Sequence, residues 1–368
     1  MNTKMQKSEK EKLFTVLKIL GVILVVFLLM GMLLKNVMFP PYDEPVITGN
    51  LTVKTMEFTW EDESRVETFT DTGENRALTV KFWYPEEEGS YPLVVFSHGA
   101  FGVIDSNYST CKELASNGYV VASIAHPYHA MYVKDVNGKT TYVDMDYLKG
   151  VLENNGTYDP ETERGIYERS IQWMELRVAD ENFVLDTILD KAKNSKEAPF
   201  MSIDAEKIGL FGHSMGGACS VQLGRERDDI DAVIDLEGTM LGEYVGFENG
   251  IEVYNEEPYP VPVLDVNGVR IIEAMDEMTE VVKDTIPDWQ YVNFYLGEHA
   301  ADYKLVLFHN AGHLNFTDLP LISPVLAKML GVGEVDAKTC IENVNEVVLN
   351  WFDYYLKGKE TLDIRPEY

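Results

Sequence analysis

The chain has 368 residues, 45% of them hydrophobic, and carries 61 acidic side chains against 31 basic ones, a formal charge of -30 at pH 7. That length can bury a large core and fits one large α/β domain with an appendage as well as two smaller domains, while a charge this negative repels phosphate backbones and argues against nucleic acid as a partner. Three scattered cysteines, Cys111, Cys219 and Cys340, exclude a disulfide scaffold, and no C-x-x-C or H-E-x-x-H spacing marks a metal site, so neither metal nor cofactor is expected.

Residues 1–12 are polar and include Lys4, Lys7, Lys10 and Lys12. From Leu13 to Leu34 the chain is apolar except for Thr15 and Lys18. Such a run matches the hydrocarbon thickness of a bilayer, and Lys18 can snorkel from its N-terminal end. Lysines before the span, with Asp43 and Glu44 after it, predict a cytoplasmic N-terminus and a single-pass anchor in the cell membrane. The rival, a cleaved signal peptide, lacks a small-x-small cleavage site. The expected organisation is a cytoplasmic tail (1–12), an anchor (13–34), an extended linker (35–50) and an extracytoplasmic domain (51–368).

In that domain, Leu51–Trp60 and Ala77–Tyr84 read as strands rich in Thr, Val and aromatics. Pro92–Ser97 is a continuous apolar run, as expected of a strand buried on both faces. It ends in His98-Gly99-Ala100-Phe101-Gly102, a turn able to offer a backbone N–H to an oxyanion. Tyr108–Asn117 reads as a helix closed by Gly118, and Tyr119–Ala125 as the next buried strand. His126-Pro127-Tyr128-His129 opens a polar insertion to about Gly165, of the kind that forms lids or substrate walls. Tyr167–Lys193 has the apolar stripe of a long amphipathic helix.

Ile208–Phe211 then leads into Gly212-His213-Ser214-Met215-Gly216. In G-x-S-x-G the serine occupies a sharp strand-to-helix turn, and glycines two before and two after it avoid a Cβ clash. The following helix aims its free N–H groups at developing negative charge. The pattern is short enough to arise by chance, so its weight comes from its partners. Ala232–Ile234 is a short strand with Asp235 at its end; Tyr259–Val266 is another, followed by Asn267-Gly268. Ile271–Ile286 and Glu342–Leu356 read as helices, and Tyr303–Phe308 as a strand running into Asn310-Ala311-Gly312-His313. Alternating strands and helices predict a mostly parallel sheet covered on both faces, with the site beyond the strands' carboxyl ends.

Ser214, then an acid, then His313 is the chain order of the α/β-hydrolase fold. From about Tyr91 to Asp318 the sequence resembles the platelet-activating factor acetylhydrolases, in the segments FSHGAFG, LASNGYVVASIAH, GLFGHSMGGA, AVIDLEGTM and AGHLNFTDLPL. The resemblance implies Ser214 as nucleophile, His313 as general base, and the backbone N–H groups of Ala100 and Met215 as the oxyanion hole. It points to Asp235 as the acid; Asp265, after the next strand in most α/β-hydrolases, and Glu237 remain open alternatives. His98 and His213 flank the motifs and read as structural neighbours of the site, His126 and His129 as loop histidines, His299 and His309 as surface or core residues, and Cys219 as a packing residue. The implied function is a membrane-anchored serine ester hydrolase acting on short-acyl lipid esters. The alternatives are a general carboxylesterase or polyester-type enzyme, a peptidase on the same triad, and an inactive surface binding protein of the same fold.

Overall fold

The computed structural model describes residues 35–153, 160–269 and 291–368. The expected tail, the 13–34 span and the Ile271–Ile286 helix lie outside the described residues. Among the described residues no helix is long and apolar enough to cross a membrane.

Eight strands form one sheet, in the order β1 (Val53–Val66), β2 (Asn75–Pro85), β4 (Val120–Ala125), β3 (Tyr91–Ser97), β7 (Ile203–His213), β8 (Ala232–Leu236), β11 (Val263–Gly268) and β12 (Tyr303–Phe308). The pairs β1–β2 and β2–β4 are antiparallel; every pair from β4 to β12 is parallel. The parallel strands are apolar runs because helices cover both faces. Leu93 to Phe96 in β3 and Val120 to Ile124 in β4 are buried throughout. The outer strand β1 is mostly exposed and dense in Glu, Asp and Lys, which discourages edge-to-edge association.

One face of the sheet packs against α1 (Tyr108–Ser116) and the C-terminal helix, whose Val344, Val347, Val348, Trp351 and Phe352 recur at helical spacing and are fully buried. That helix runs Ala337–Tyr355, starting five residues before the expected Glu342, because Asp336 caps it by accepting from Thr339 N–H. The other face is covered by α3 (Pro160–Asn194) and α4 (Met215–Glu226), with Met174, Val178, Leu185 and Ile188 of α3 in the core. The helix α3 begins seven residues before the expected Tyr167, inside the stretch read as insertion.

The described part of the insertion is not irregular. It forms a small hairpin, β5 (Tyr132–Lys134) with β6 (Thr140–Tyr142), and the helix α2 (Met145–Glu153). The hairpin strands, at three residues each, are too short to show a period. A second hairpin, β9 (Tyr244–Glu248) with β10 (Ile251–Tyr254), follows β8. Residues 40–50 carry no regular secondary structure and are tied to the domain: Glu113 accepts from Thr48 N–H, Glu342 from Val46 N–H, and, just beyond, Ser116 C=O from Leu51 N–H. The chain then closes through α5 (Tyr291–His299), a 3-10 turn at His313–Phe316, α6 (Leu319–Ile322), α7 (Pro324–Leu330) and α8, the C-terminal helix already described.

Candidate active site

The serine turn is built by close approach. Ser214 adopts φ 56° and ψ −127°, a strained conformation for a residue with a side chain. A Cβ on Gly212 would lie 2.2 Å from the Gly216 carbonyl carbon, and one on Gly216 2.0 Å from the Ser97 oxygen. These glycines let β7, α4 and the end of β3 converge on one point. Ser214 N–H donates to Leu236 C=O at 2.9 Å, which fastens the turn to the end of β8.

His313 follows β12 in the 3-10 turn, and the run around it is anchored from several sides. Asn315 Oδ1 accepts from the N–H groups of Gly312 (2.9 Å) and Gly333 (2.7 Å). Asn107 donates to Phe316 C=O at 2.7 Å, and Asp318 accepts from Ser109 N–H at 2.9 Å and from its hydroxyl. The H-x-N-F-x-D run therefore ties the histidine loop to α1. His213 Nε2–H donates to His313 C=O at 2.8 Å, bringing the residue before the serine against the histidine. Burial and the neighbouring His313 hold the His213 imidazole down to about 3, so it stays neutral and acts as this fixed donor.

The acid paired with His313 is Glu237, not Asp235. Its Oε2 accepts from His313 Nδ1 at 3.0 Å, while Oε1 accepts from Gly268 N–H at 2.9 Å. The reason is the length of β8, which continues through Asp235 and Leu236, so that Glu237, at φ 54°, is the first residue beyond the strand. Asp235 lies inside the strand, fully buried, and accepts from Gly238 N–H at 3.0 Å. Asp265 is its register partner on β11 and is likewise not paired with His313; it accepts from Asn267 (2.7 Å), Tyr303 (2.8 Å) and Asn293 (3.3 Å). Burial raises both carboxyls, Asp265 to about 6 and Asp235 well above the usual range, the latter also through Asp265 beside it. Two such acids form a buried layer under the site, unlike the acid that must face an imidazolium.

Ala100 follows β3, and its loop presses on the serine: a Cβ at Gly99 would meet Ser214 Cβ at 3.0 Å and His213 Nδ1 at 2.9 Å. Met215 is the first residue of α4. Among the described residues neither the Ala100 nor the Met215 N–H donates to a backbone carbonyl. The insertion reaches the same place. Tyr147 of α2 donates to Met215 Sδ at 3.4 Å, stacks on His129 at 3.8 Å and meets Phe101 at 5.6 Å.

The remaining histidines separate clearly. His98, His126 and His129 are buried in a charged layer behind the Gly99 loop, where burial, reinforced by Arg177, holds all three down. His126 Nδ1–H donates to Asp180, which Arg76 grips through Nε (2.6 Å) and Nη2 (2.7 Å). Reading the sequence as loop histidines missed this layer, because Arg76 and Asp180 are 104 residues apart. His299 bonds the Tyr295 carbonyl, and His309 meets Glu367 at the surface. Cys219 is buried and donates to Glu181 at 2.8 Å; burial raises its thiol well above the usual range, which suits packing rather than nucleophilic chemistry.

A mostly parallel eight-stranded sheet carrying a strained serine after β7 and a paired acid and histidine after β8 and β12 has the layout of an α/β-hydrolase. A solved ferulic acid esterase from Streptomyces cinnamoneus shares the fold, with a TM-score of 0.63 and 22% identity over 87% of this chain and 95% of that one. The chain belongs to the family described as platelet-activating factor acetylhydrolase, isoform II, which matches residues 71–364. It is 25% identical over 290 residues to the platelet-activating factor acetylhydrolase of Cavia porcellus, covering 74% of this chain and 59% of that protein. It is 26% identical over 281 residues to a probable 1-alkyl-2-acetylglycerophosphocholine esterase of Arthroderma benhamiae, covering 73% and 62%. The match thus spans about three-fifths of these curated relatives' own length.

Proposed function

We propose that the chain is a serine ester hydrolase that cleaves short-acyl lipid esters through an acyl-enzyme. The observation that carries this reading is the His313–Glu237 pair on strand ends beside the strained Ser214 turn. Glu237 fixes the imidazole with Nδ1–H toward itself and leaves Nε2 for the Ser214 hydroxyl. Ser214 Oγ attacks the ester carbonyl while its proton passes to His313 Nε2. The carbonyl oxygen becomes an oxyanion held by the N–H groups of Ala100 and Met215, the latter strengthened by the start of α4. Collapse of the tetrahedral intermediate breaks the bond to the leaving alkoxide, which takes the proton back from His313. Water, deprotonated by the same imidazole, then attacks the acyl-serine and releases the acid.

The family and the names of its relatives support a platelet-activating-factor type of substrate, with a short acyl group on a glycerophosphocholine. The charge of -30 favours a zwitterionic lipid over an anionic one. The apolar 13–34 run supports an anchor that holds the domain at an extracytoplasmic membrane face, near such lipids.

The test uses the full chain in detergent, treated with a fluorophosphonate probe beside Ser214→Ala. Labelling of the parent alone is expected; equal labelling of both, or of neither, overturns the reading. On p-nitrophenyl esters of increasing chain length the rate should be greatest at acetyl to butyryl, and a maximum at long chains counts against the short-acyl assignment. For the anchor, removing residues 1–34 should shift the protein from the membrane to the soluble fraction.

A further inference from the structure

In a trans peptide the C=O and the following N–H point in opposite directions from one rigid plane. The Ala100 N–H therefore aims directly away from the donors that hold the Gly99 C=O. That carbonyl is held by three donors: His98 Nδ1–H at 2.7 Å, Gly102 N–H at 3.1 Å and Arg177 Nη2–H at 3.2 Å. The first two are local to the loop. Arg177 is not; it comes from α3, 78 residues on, and is fully buried.

A buried guanidinium is costly unless it is paired and fully hydrogen-bonded. Among the described residues Arg177 donates to Gly99 C=O through Nη2 and interacts with the Tyr147 side chain, while its Nε and Nη1 have no partner. The acid one helical turn on, Glu181, is itself raised to about 7 by burial, so it is a poor counter-charge. Stability alone does not account for a cation placed this way. Its charge does two things for the loop. Together with burial it keeps His98 neutral, so that Nδ1–H donates to Gly99 while Nε2 accepts from His126 N–H at 3.3 Å. It also polarises the Gly99–Ala100 peptide, since a carbonyl that accepts strong donors makes its own N–H a stronger donor.

Resting on the serine-hydrolase reading above, we propose that Arg177 is a positioning residue for the oxyanion hole. It acts through the Gly99 carbonyl to orient and polarise the Ala100 N–H, and it does not touch the substrate.

The test compares kcat/KM for an ester with that for its thionoester, in which C=S replaces C=O and the same leaving group is kept. Sulfur is a weak hydrogen-bond acceptor, so the thionoester gains little from the hole. Arg177→Met should lower the ester rate roughly 10- to 100-fold, less than outright loss of an oxyanion donor, and leave the thionoester within about threefold. Arg177→Lys, which keeps the charge, should recover part of the ester rate. The ester-to-thionoester ratio is independent of the fraction of folded enzyme. Equal losses on both substrates, no loss on the ester, or failure of Arg177→Met, Arg177→Lys and Arg177→Gln all to fold would overturn the proposal. A parent enzyme without Ser214-dependent turnover would instead overturn the serine-hydrolase reading itself.

Discussion

Glu237 Oε2 lies 3.0 Å from His313 Nδ1, across 76 residues of chain, while Asp235 two positions earlier points its hydrogen bonding at Gly238. Parallel strands alternate their faces, so moving the acid by one residue would send it to the wrong side of the sheet. Moving it by two brings it past the strand end, where the backbone turns through a positive φ and the longer Glu side chain reaches the imidazole.

Glu237→Gln should therefore lower kcat by roughly 1,000- to 10,000-fold, the range expected when the orienting acid of a triad loses its charge. Asp235→Asn should stay within about tenfold of the parent, because burial and Asp265 beside it favour the uncharged carboxyl, and the amide oxygen can still accept from Gly238 N–H. Steady-state kinetics on a short-chain p-nitrophenyl ester checks both. The reverse ranking would return the acid to Asp235.

The parts of the site visible in the sequence are those that short-range chemistry enforces. Ser214 needs glycines at fixed offsets, and His313 follows an apolar strand directly, so both are found by position alone. Glu237 was only one of three candidates because polar Asp235 interrupts the apolar run and makes β8 look two residues shorter than it is. The insertion's hairpin strands, at three residues each, are too short to show a period, and α2 is a nine-residue helix inside a polar stretch. The buried Arg76–Asp180 pair and the Arg177–Gly99 contact join distant segments, and neither hydrophobic periodicity nor motif spacing encodes such pairings.

Gly217→Ala should destabilise the fold although Ala is the better helix former by about 1 kcal/mol. A Cβ there would sit 1.8 Å from Asp235 Oδ1, deep in the core, and overpacking of this kind costs about 1–3 kcal/mol or more. The clash outweighs the propensity. In urea unfolding, Asp235→Ala should absorb most of the damage when combined with Gly217→Ala, giving a double mutant more stable than the sum of the two losses implies. Simple additivity would show that the contact is not the cause.

Asp180 receives Arg76 through two nitrogens, Arg65 at 2.9 Å and His126 at 3.0 Å, with no exposed surface of its own. Asp180→Asn leaves Arg76 buried and underpaired and should cost about 3–5 kcal/mol. Replacing both members, Asp180→Leu with Arg76→Met, should cost less than Asp180→Asn alone, because neither charge of the pair is then left in the interior without the other, while Glu67 and Arg65 each lose one partner. Paired unfolding midpoints decide this; a double variant worse than the single would mean that the pair is net stabilising.

Asp318 supplies a stability test with a defined pH sign. Burial pushes its carboxyl up to about 7, against about 3.9 in an unfolded chain. Between these values the folded state holds a proton that the unfolded state has released, so this group's contribution is fully present below about pH 4 and is lost as pH rises through 7. Asp318→Asn cannot titrate. It keeps one acceptor for Ser109 and, after rotation of the Ser109 hydroxyl, one donor to it. The variant should therefore gain on the parent as pH rises from 5 to 8 in chemical denaturation, whatever its offset at pH 5. A stability difference that stays flat across that window, or that moves in the parent's favour, would mean that Asp318 is ionised in the fold and holds Ser109 as a charged acceptor.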